Sequence, residues 1–262
     1  MDRDTSGAQI DALDEGRAAV PTMGWSATRV SGGEAVGWLN DLVTADVEHL
    51  GAGEVARSLL LSPTGRIRAD LLVARERASV LALQSPGQPR ALGDLLAPYV
   101  LSSDVVLERW ASDAVLVGGA AGWRLAAQAP SDHPIVGPDA FEAWRIRRGI
   151  ARFPVDLDEE SLPAEAGLDR EPVVDRAKGC YLGQESVAKV RNLGHPTRVV
   201  VPATLEGPAS AGDPIRSGPE RVGMVTSLDG SSGIIRIRWA ARDGTLETDR
   251  GTPVLPSYPP SG

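Results

Sequence analysis

Cysteine is nearly absent: Cys180 is the only one in 262 residues. A single thiol excludes an internal disulfide, and it excludes an iron–sulfur cluster held by four cysteines of this chain. Histidine is scarce as well. His49, His133 and His195 lie in turn-like settings with no carboxylate or cysteine at ligand spacing, so no metal site is expected. No apolar run approaches the ~20 residues needed to cross a bilayer, so no membrane partner is expected. The first twenty residues hold Asp2, Asp4, Asp11, Asp14 and Glu15 and lack the apolar segment of a secretory signal. Residues 1–20 therefore read as a loose acidic arm, and the chain as cytoplasmic. Positive charge is not in excess. The 27 Lys and Arg against 35 Asp and Glu leave a net −8, which argues against general nucleic-acid binding. The motifs G-x-S-x-G, H-E-x-x-H and G-x-x-x-x-G-K are missing, and the chemistries they mark lose support with them. Val115–Val117 followed by Gly118–Gly122 lacks the full dinucleotide fingerprint and reads as a hairpin turn.

What is present suits a globular protein with a packed core, one large domain and a small one. Trp25–Val30 alternates as a strand. Ser31 with Glu34 three positions on forms a capping box, and Ala35, Val36, Trp38, Leu39, Leu42 and Val43 follow at helical spacing. Strands are expected at Val55–Leu61, Arg66–Ala74, Val80–Gln84 and Asp104–Trp110, with a tight turn at Ser62–Gly65 and a helix over Arg90–Val100. In Arg66–Ala74 the period of two puts Ile67, Ala69, Leu71 and Val73 on one face and Arg68 and Asp70 on the other. A second half, Ala114 to Ile150, offers two strands and a helix opened by Pro138 and carrying Phe141, Trp144 and Ile146. Asp156–Pro172 reads as a long irregular connection. Beyond Pro196, Thr197–Leu205, Arg221–Ser227 and Gly233–Trp239 alternate with turns as in a small antiparallel barrel. The divisions are 21–195, in halves 21–110 and 111–195, then a barrel over 196–252 and a frayed proline-rich tail, 253–262.

The chemistry concentrates in Lys178-Gly179-Cys180-Tyr181-Leu182-Gly183-Gln184-Glu185. Gly179 and Gly183 permit a tight backbone path, and an ammonium near a thiol favours the thiolate. The alternative is that a lone cysteine is simply a small buried apolar residue.

The string K-G-C-Y-x-G-Q-E resembles the signature of the YgfZ-like folate-binding proteins, relatives of the glycine-cleavage T-protein and of mitochondrial iron–sulfur assembly factors. The resemblance covers about Trp25 to Arg250. It implies an α+β fold of two ferredoxin-like halves followed by a small C-terminal antiparallel β-barrel. It also implies a tetrahydrofolate cofactor and a role in making or maintaining iron–sulfur enzymes, with client or assembly proteins as partners. Cys180 and Lys178 would be the functional pair, with Gly179, Tyr181, Gly183, Gln184 and Glu185 completing the motif. Trp25, ahead of Thr44-Ala45-Asp46-Val47, matches a folate-contacting tryptophan, though a core role stays open. Phe141 falls where the family has a second such tryptophan, and Trp144 is one helical turn away. Asp70 matches an aspartate that holds folate and assists methylene transfer; a surface pair with Arg68 is the alternative. Arg147 replaces the pterin-gripping glutamate, which counts against aminomethyltransferase or demethylase activity. Arg145, with Arg147, Arg148 and Arg152, forms one basic cluster; Lys178, Lys189, Arg191 and Arg198 form another. Either suits the carboxylates of polyglutamylated folate, or is a solvated face. A tRNA-modification accessory role is the weaker alternative, since only Tyr181 supplies an aromatic to the basic strip.

Overall fold

The computed structural model describes residues 3–111, 114–192 and 194–258, with side chains from residue 6 onward. In chain order the elements are α1 (Arg3–Asp14), β1 (Ala18–Pro21), β2 (Ser26–Ser31), α2 (Ala35–Asn40), β3 (Glu54–Leu61), β4 (Ile67–Arg75), β5 (Ser79–Gln84), α3 (Leu92–Val100), β6 (Val106–Trp110), β7 (Val115–Gly119), β8 (Gly122–Ala126) and α4 (Pro138–Arg147). Then come α5 (Gln184–Asn192), β9 (Arg198–Leu205), β10 (Pro214–Ser217), β11 (Glu220–Asp229), β12 (Ser232–Arg238), β13 (Leu246–Thr248) and β14 (Pro253–Pro256). Compactness divides the chain into two units, residues 1–141 with 168–186, and residues 142–167 with 187–262.

The first unit is built on an eight-stranded sheet, ordered β1-β7-β8-β3-β4-β5-β2-β6, in which every pairing is antiparallel. Strands of both expected halves join this one sheet. Alternation decides its faces. Ile67, Ala69, Leu71 and Val73 of β4 are all at most 1% exposed, as the period of two predicts. Three of them share a cluster with Val30, Val80, Ala82, Ala35 and Leu39 of α2, and Leu92, Leu95 and Leu96 of α3. All six residues of β5 are buried, so the second face is covered too. There Leu81, Leu83 and Ala27 pack with Trp25, Leu72, Trp110 and Leu125.

Three expectations need correction. The acidic arm is instead α1 followed by β1, with Ala12 and Leu13 at most 2% exposed and the Ala120 N–H donating to the Leu13 carbonyl at 3.0 Å. Residues 1–2 of the arm lie outside the described residues. The Ser31 capping box does not form. The Glu34 carboxylate accepts from the Asp104 N–H at 2.7 Å instead, and α2 starts only at Ala35. The frayed tail begins as β14, which pairs with β9 and β13; its residues 259–262 lie outside the described residues.

In the second unit β10-β11-β12-β9-β14-β13 close into a six-stranded barrel filled by Val199, Val201, Leu205, Ile215, Val225, Ile235, Ile237, Leu246 and Val254. Closure leaves no exposed edge in such a small sheet. Among the described residues no helix is long and apolar enough to cross a membrane.

Candidate functional site

The signature loop is fixed at both ends. At its start, Lys178 Nζ donates to the carbonyls of Asn40 (2.5 Å), Val43 (2.7 Å) and Ala45 (2.9 Å). Its ammonium has three protons, and all are used. These carbonyls belong to the end of α2 and to the residues that follow it, into the Thr44-Ala45-Asp46-Val47 stretch. Asp175 joins the two segments: its N–H donates to the Thr44 carbonyl at 3.1 Å, and its carboxylate accepts from the N–H groups of Ala177 and Lys178. Thr44 Oγ1 adds a bond to the Val173 carbonyl at 2.7 Å. Burial pushes the Lys178 pKa down to about 8, against the opposing charges of Asp46, Asp175, Asp41 and Glu48. The expected activation of the thiol by Lys178 is therefore corrected: no N–H remains for a thiolate, and the ammonium secures backbone.

At the other end, Gly183 has φ +84°, and a Cβ there would stand 2.5 Å from the Ser62 carbonyl oxygen. The turn it meets carries Gly65, φ +76°, where a Cβ would meet that of Ser186 at 2.8 Å. The Ser186 hydroxyl donates to the Pro63 carbonyl at 3.2 Å across the same seam. Gly179 differs: a Cβ there would meet nothing within 4 Å, so the close approach expected at both glycines occurs at one. Gly183→Ala should then cost about 2–3 kcal/mol from left-handed strain and overlap, and Gly179→Ala within about 0.5 kcal/mol of nothing. Urea midpoints measure both; equal midpoints would dismiss the seam.

Between these anchors Cys180 is exposed. Tyr181 is buried, its ring 5.8 Å from Lys178 Nζ. Gln184 opens α5, and Glu185 lies exposed in its first turn, where a carboxylate complements the helix N-terminus.

Trp25 and Asp70 share the sheet face opposite α2 and α3. The registers Leu71↔Gln84 and Ser26↔Gln84 put them in one row, two strands apart, or about 10 Å at ~4.8 Å per strand. Trp25 is half-buried against Ala27, Leu81 and Leu83. Asp70, for which a surface pair with Arg68 is the alternative reading, has a partner on the neighbouring strand. Arg57 of β3 grips it bidentately, Nε at 3.0 Å and Nη2 at 2.7 Å. Gln88 clasps its backbone on both sides, accepting from the Asp70 N–H at 3.0 Å and donating to its carbonyl at 2.6 Å. Phe141 is half-buried and meets Trp123 edge-on at 6.1 Å, whereas Trp144 is core at 3% exposure. Trp123 pairs with Val55 and so shares the Arg57 face by alternation. Arg57, Gln88 and Trp123 were missed from sequence. Strand pairing across the Ser62–Gly65 turn was the signal that could have found Arg57.

Arg145 is not available as a cofactor ligand. It is buried, and its five N–H donors go to both Glu142 oxygens, the Ile150 carbonyl (3.1 Å), Asp156 (2.7 Å) and Ser227 (2.8 Å). Burial alone would lower its pKa, but the Glu142 bond and the Asp156 and Glu142 charges raise it. Nearby, Arg147 pairs with Asp229 at 2.7 Å and Arg152 with Glu142 at 3.2 Å. Among the described residues no three His, Cys, Asp or Glu are grouped to hold a metal.

The sheet and closed barrel together are the fold of the glycine-cleavage T-protein. The crystal structure of glycine cleavage system aminomethyltransferase T from Bartonella henselae superposes with a TM-score of 0.77 over 96% of this chain and 88% of that one, at 17% identity. In sequence the chain is similar to the iron–sulfur cluster assembly factor IBA57 homolog, mitochondrial, of Mycosarcoma maydis, 27% identical over 238 residues. That alignment covers 72% of this chain and spans only 57% of the fungal protein. The mouse mitochondrial assembly factor IBA57 is 34% identical over 98 residues, 34% of this chain and 27% of the mouse protein. No family model matches. These likenesses support the T-protein superfamily resemblance carried by the signature, without singling out its YgfZ-like branch.

Proposed function

We propose that this chain is a tetrahydrofolate-binding protein of YgfZ-like character that supports assembly or repair of iron–sulfur enzymes, acting in the cytoplasm. The observation that carries the reading is the sole thiol, exposed on a loop anchored at both ends. A packing cysteine would be buried. The similarity to assembly factors points the same way. With no cluster of its own to hold, the chain would present Cys180 to iron–sulfur client or assembly proteins.

The sheet face fits a flat heterocycle in part. The half-buried Trp25 indole and its apolar neighbours offer a stacking surface, and the outer lone pairs of Asp70 can accept an N–H. Trp123 and Phe141 form a separate aromatic pair, with Trp123 on β8, four strands from β2 in the same sheet. Tetrahydrofolate would supply the ring held there and, in a transferase, the acceptor of a one-carbon unit. Aminomethyl transfer or demethylation is the second reading, carried by Asp70. Its carboxylate is shared with Arg57, and Arg147 stands where an acid is needed, so binding is favoured over transfer.

Tetrahydrofolate should quench tryptophan emission, and Trp25→Ala should weaken its binding by at least about tenfold, the loss of one stacking contact of roughly 1.4 kcal/mol. In a deletion strain, Cys180→Ala should fail to restore iron–sulfur enzyme activities that wild type restores. Unchanged affinity removes Trp25 from the site; full rescue by Cys180→Ala removes the thiol from the function.

A further inference from the structure

The barrel carries a second feature that neither the loop nor the sheet face uses. Where β9 begins, β12 ends and β11 begins, an open groove of about 260 Å³ is lined by Arg198, Arg221, Arg236 and Arg238, with Val222, Met224 and Ile237 between them. Arg198 and Arg238 are direct cross-strand partners. Like charges so placed repel and weaken a sheet unless anionic groups offset them.

Two of the guanidiniums are also held in place. Asp158, itself fixed by the Ser161 hydroxyl at 2.9 Å, holds Arg236 Nη1 at 2.5 Å. Arg198 Nε lies 3.4 Å from Glu165, whose side chain is 2% exposed and whose Oε2 has no hydrogen-bond partner. Burial raises the Glu165 pKa, and the Arg198 charge works against that rise. Arg238 pairs with Glu220 in the open, with both side chains more than half exposed, and such a pair contributes little. Arg221 has no side-chain hydrogen bond or ion pair among the described residues. Val222 and Ile237 are buried in the barrel core and Met224 is half-buried, so clustered cations beside one thioether define the ligand: carboxylates flanking an apolar side chain.

We propose that this groove docks an acidic segment of a partner protein, carboxylates on the arginines and an aliphatic side chain on the half-buried Met224. A nucleic acid is the poorer fit. The lining has no aromatic on which a base can stack.

The test uses the full chain and a fluorescein-labelled hexapeptide alternating glutamate and leucine, read by anisotropy. Its glutamine counterpart, a short single-stranded RNA and inorganic phosphate serve as comparisons. The glutamate peptide should bind about tenfold or more tightly than the glutamine one, the worth of one charge-assisted bond of about 1.4 kcal/mol. Arg221→Glu should erase that preference and Arg221→Lys keep part of it. Arg221 is exposed, so both variants should keep the wild-type circular dichroism. Equal binding of the two peptides, or a preference untouched by Arg221→Glu, overturns the proposal. So does tighter binding of RNA or phosphate, or a dimer of this chain that Arg221→Glu dissolves.

Discussion

Replacing Arg145 with methionine is expected to destabilise the barrel unit by about 3–5 kcal/mol, the range for breaking a buried ion pair from one side. The reason lies in what stays behind. Asp156 is fully buried, and its two oxygens are shared among Arg145, the Arg152 N–H (2.9 Å), Thr226 (2.6 Å) and Ser227 (2.7 Å). Methionine fills comparable volume, so the loss is electrostatic: a carboxylate with hydroxyls but no countercharge. At about 2–4 °C per kcal/mol for a chain of this size, the melting point should fall on the order of 10 °C. Asp156→Asn in the same background should recover part of the loss, since the orphaned charge is then gone. A fall under about 1 kcal/mol, or no recovery, would mean that Arg145 is not the hub its five bonds make it.

Lys178→Met is expected to loosen the signature loop and to change how stability follows pH. Three partly buried carbonyls lose their donor, and each such group left unsatisfied costs roughly 1–3 kcal/mol, softened here by water. A net loss of about 2 kcal/mol follows, with amide exchange accelerating over residues 175–183. The sign of the pH effect comes from the lowered pKa. In the folded protein Lys178 sheds its proton near pH 8, whereas an unfolded lysine holds it to about 10.4. Between those values the unfolded state binds the extra proton, so this group's contribution to stability rises with pH across that window and is smallest below it. The stability gap between wild type and Lys178→Met should therefore change between pH 8 and about 10.4, and stay flat below pH 7. The chain has two lysines, Lys178 and Lys189, so a lysine-selective NMR titration can assign the midpoint directly. A midpoint at the ordinary value, with no pH-dependent gap, would show that the ammonium is not desolvated.

Local periodicity made much of the fold legible. The buried face of β4, the Gly118–Gly122 hairpin and the three main barrel strands all follow from period-two alternation and turn chemistry. What escaped depended on distant chain. In α1, Ile10, Ala12 and Leu13 are diluted among acids, and their burial is decided by the β7–β8 hairpin more than a hundred residues on. Glu34 had the spacing of a capping residue, but the Asp104 N–H competed for it. At the site, Trp25 and Asp70 lie on one sheet face with partners from neighbouring strands, whereas Phe141 packs on Trp123 of β8, four strands from β2. Lys178 and Arg145 were read as cations free to act on a ligand. Each is spent on groups that a linear reading cannot bring near, and a charge counted along the chain gives no hint of that.

The seam between Gly65 and Gly183 also settles how the thiol can be reached. Because that loop is locked to the β3–β4 bend, Cys180 cannot swing outward like the tip of a lid. It is a fixed post, and whatever reacts with it must bring its own reach.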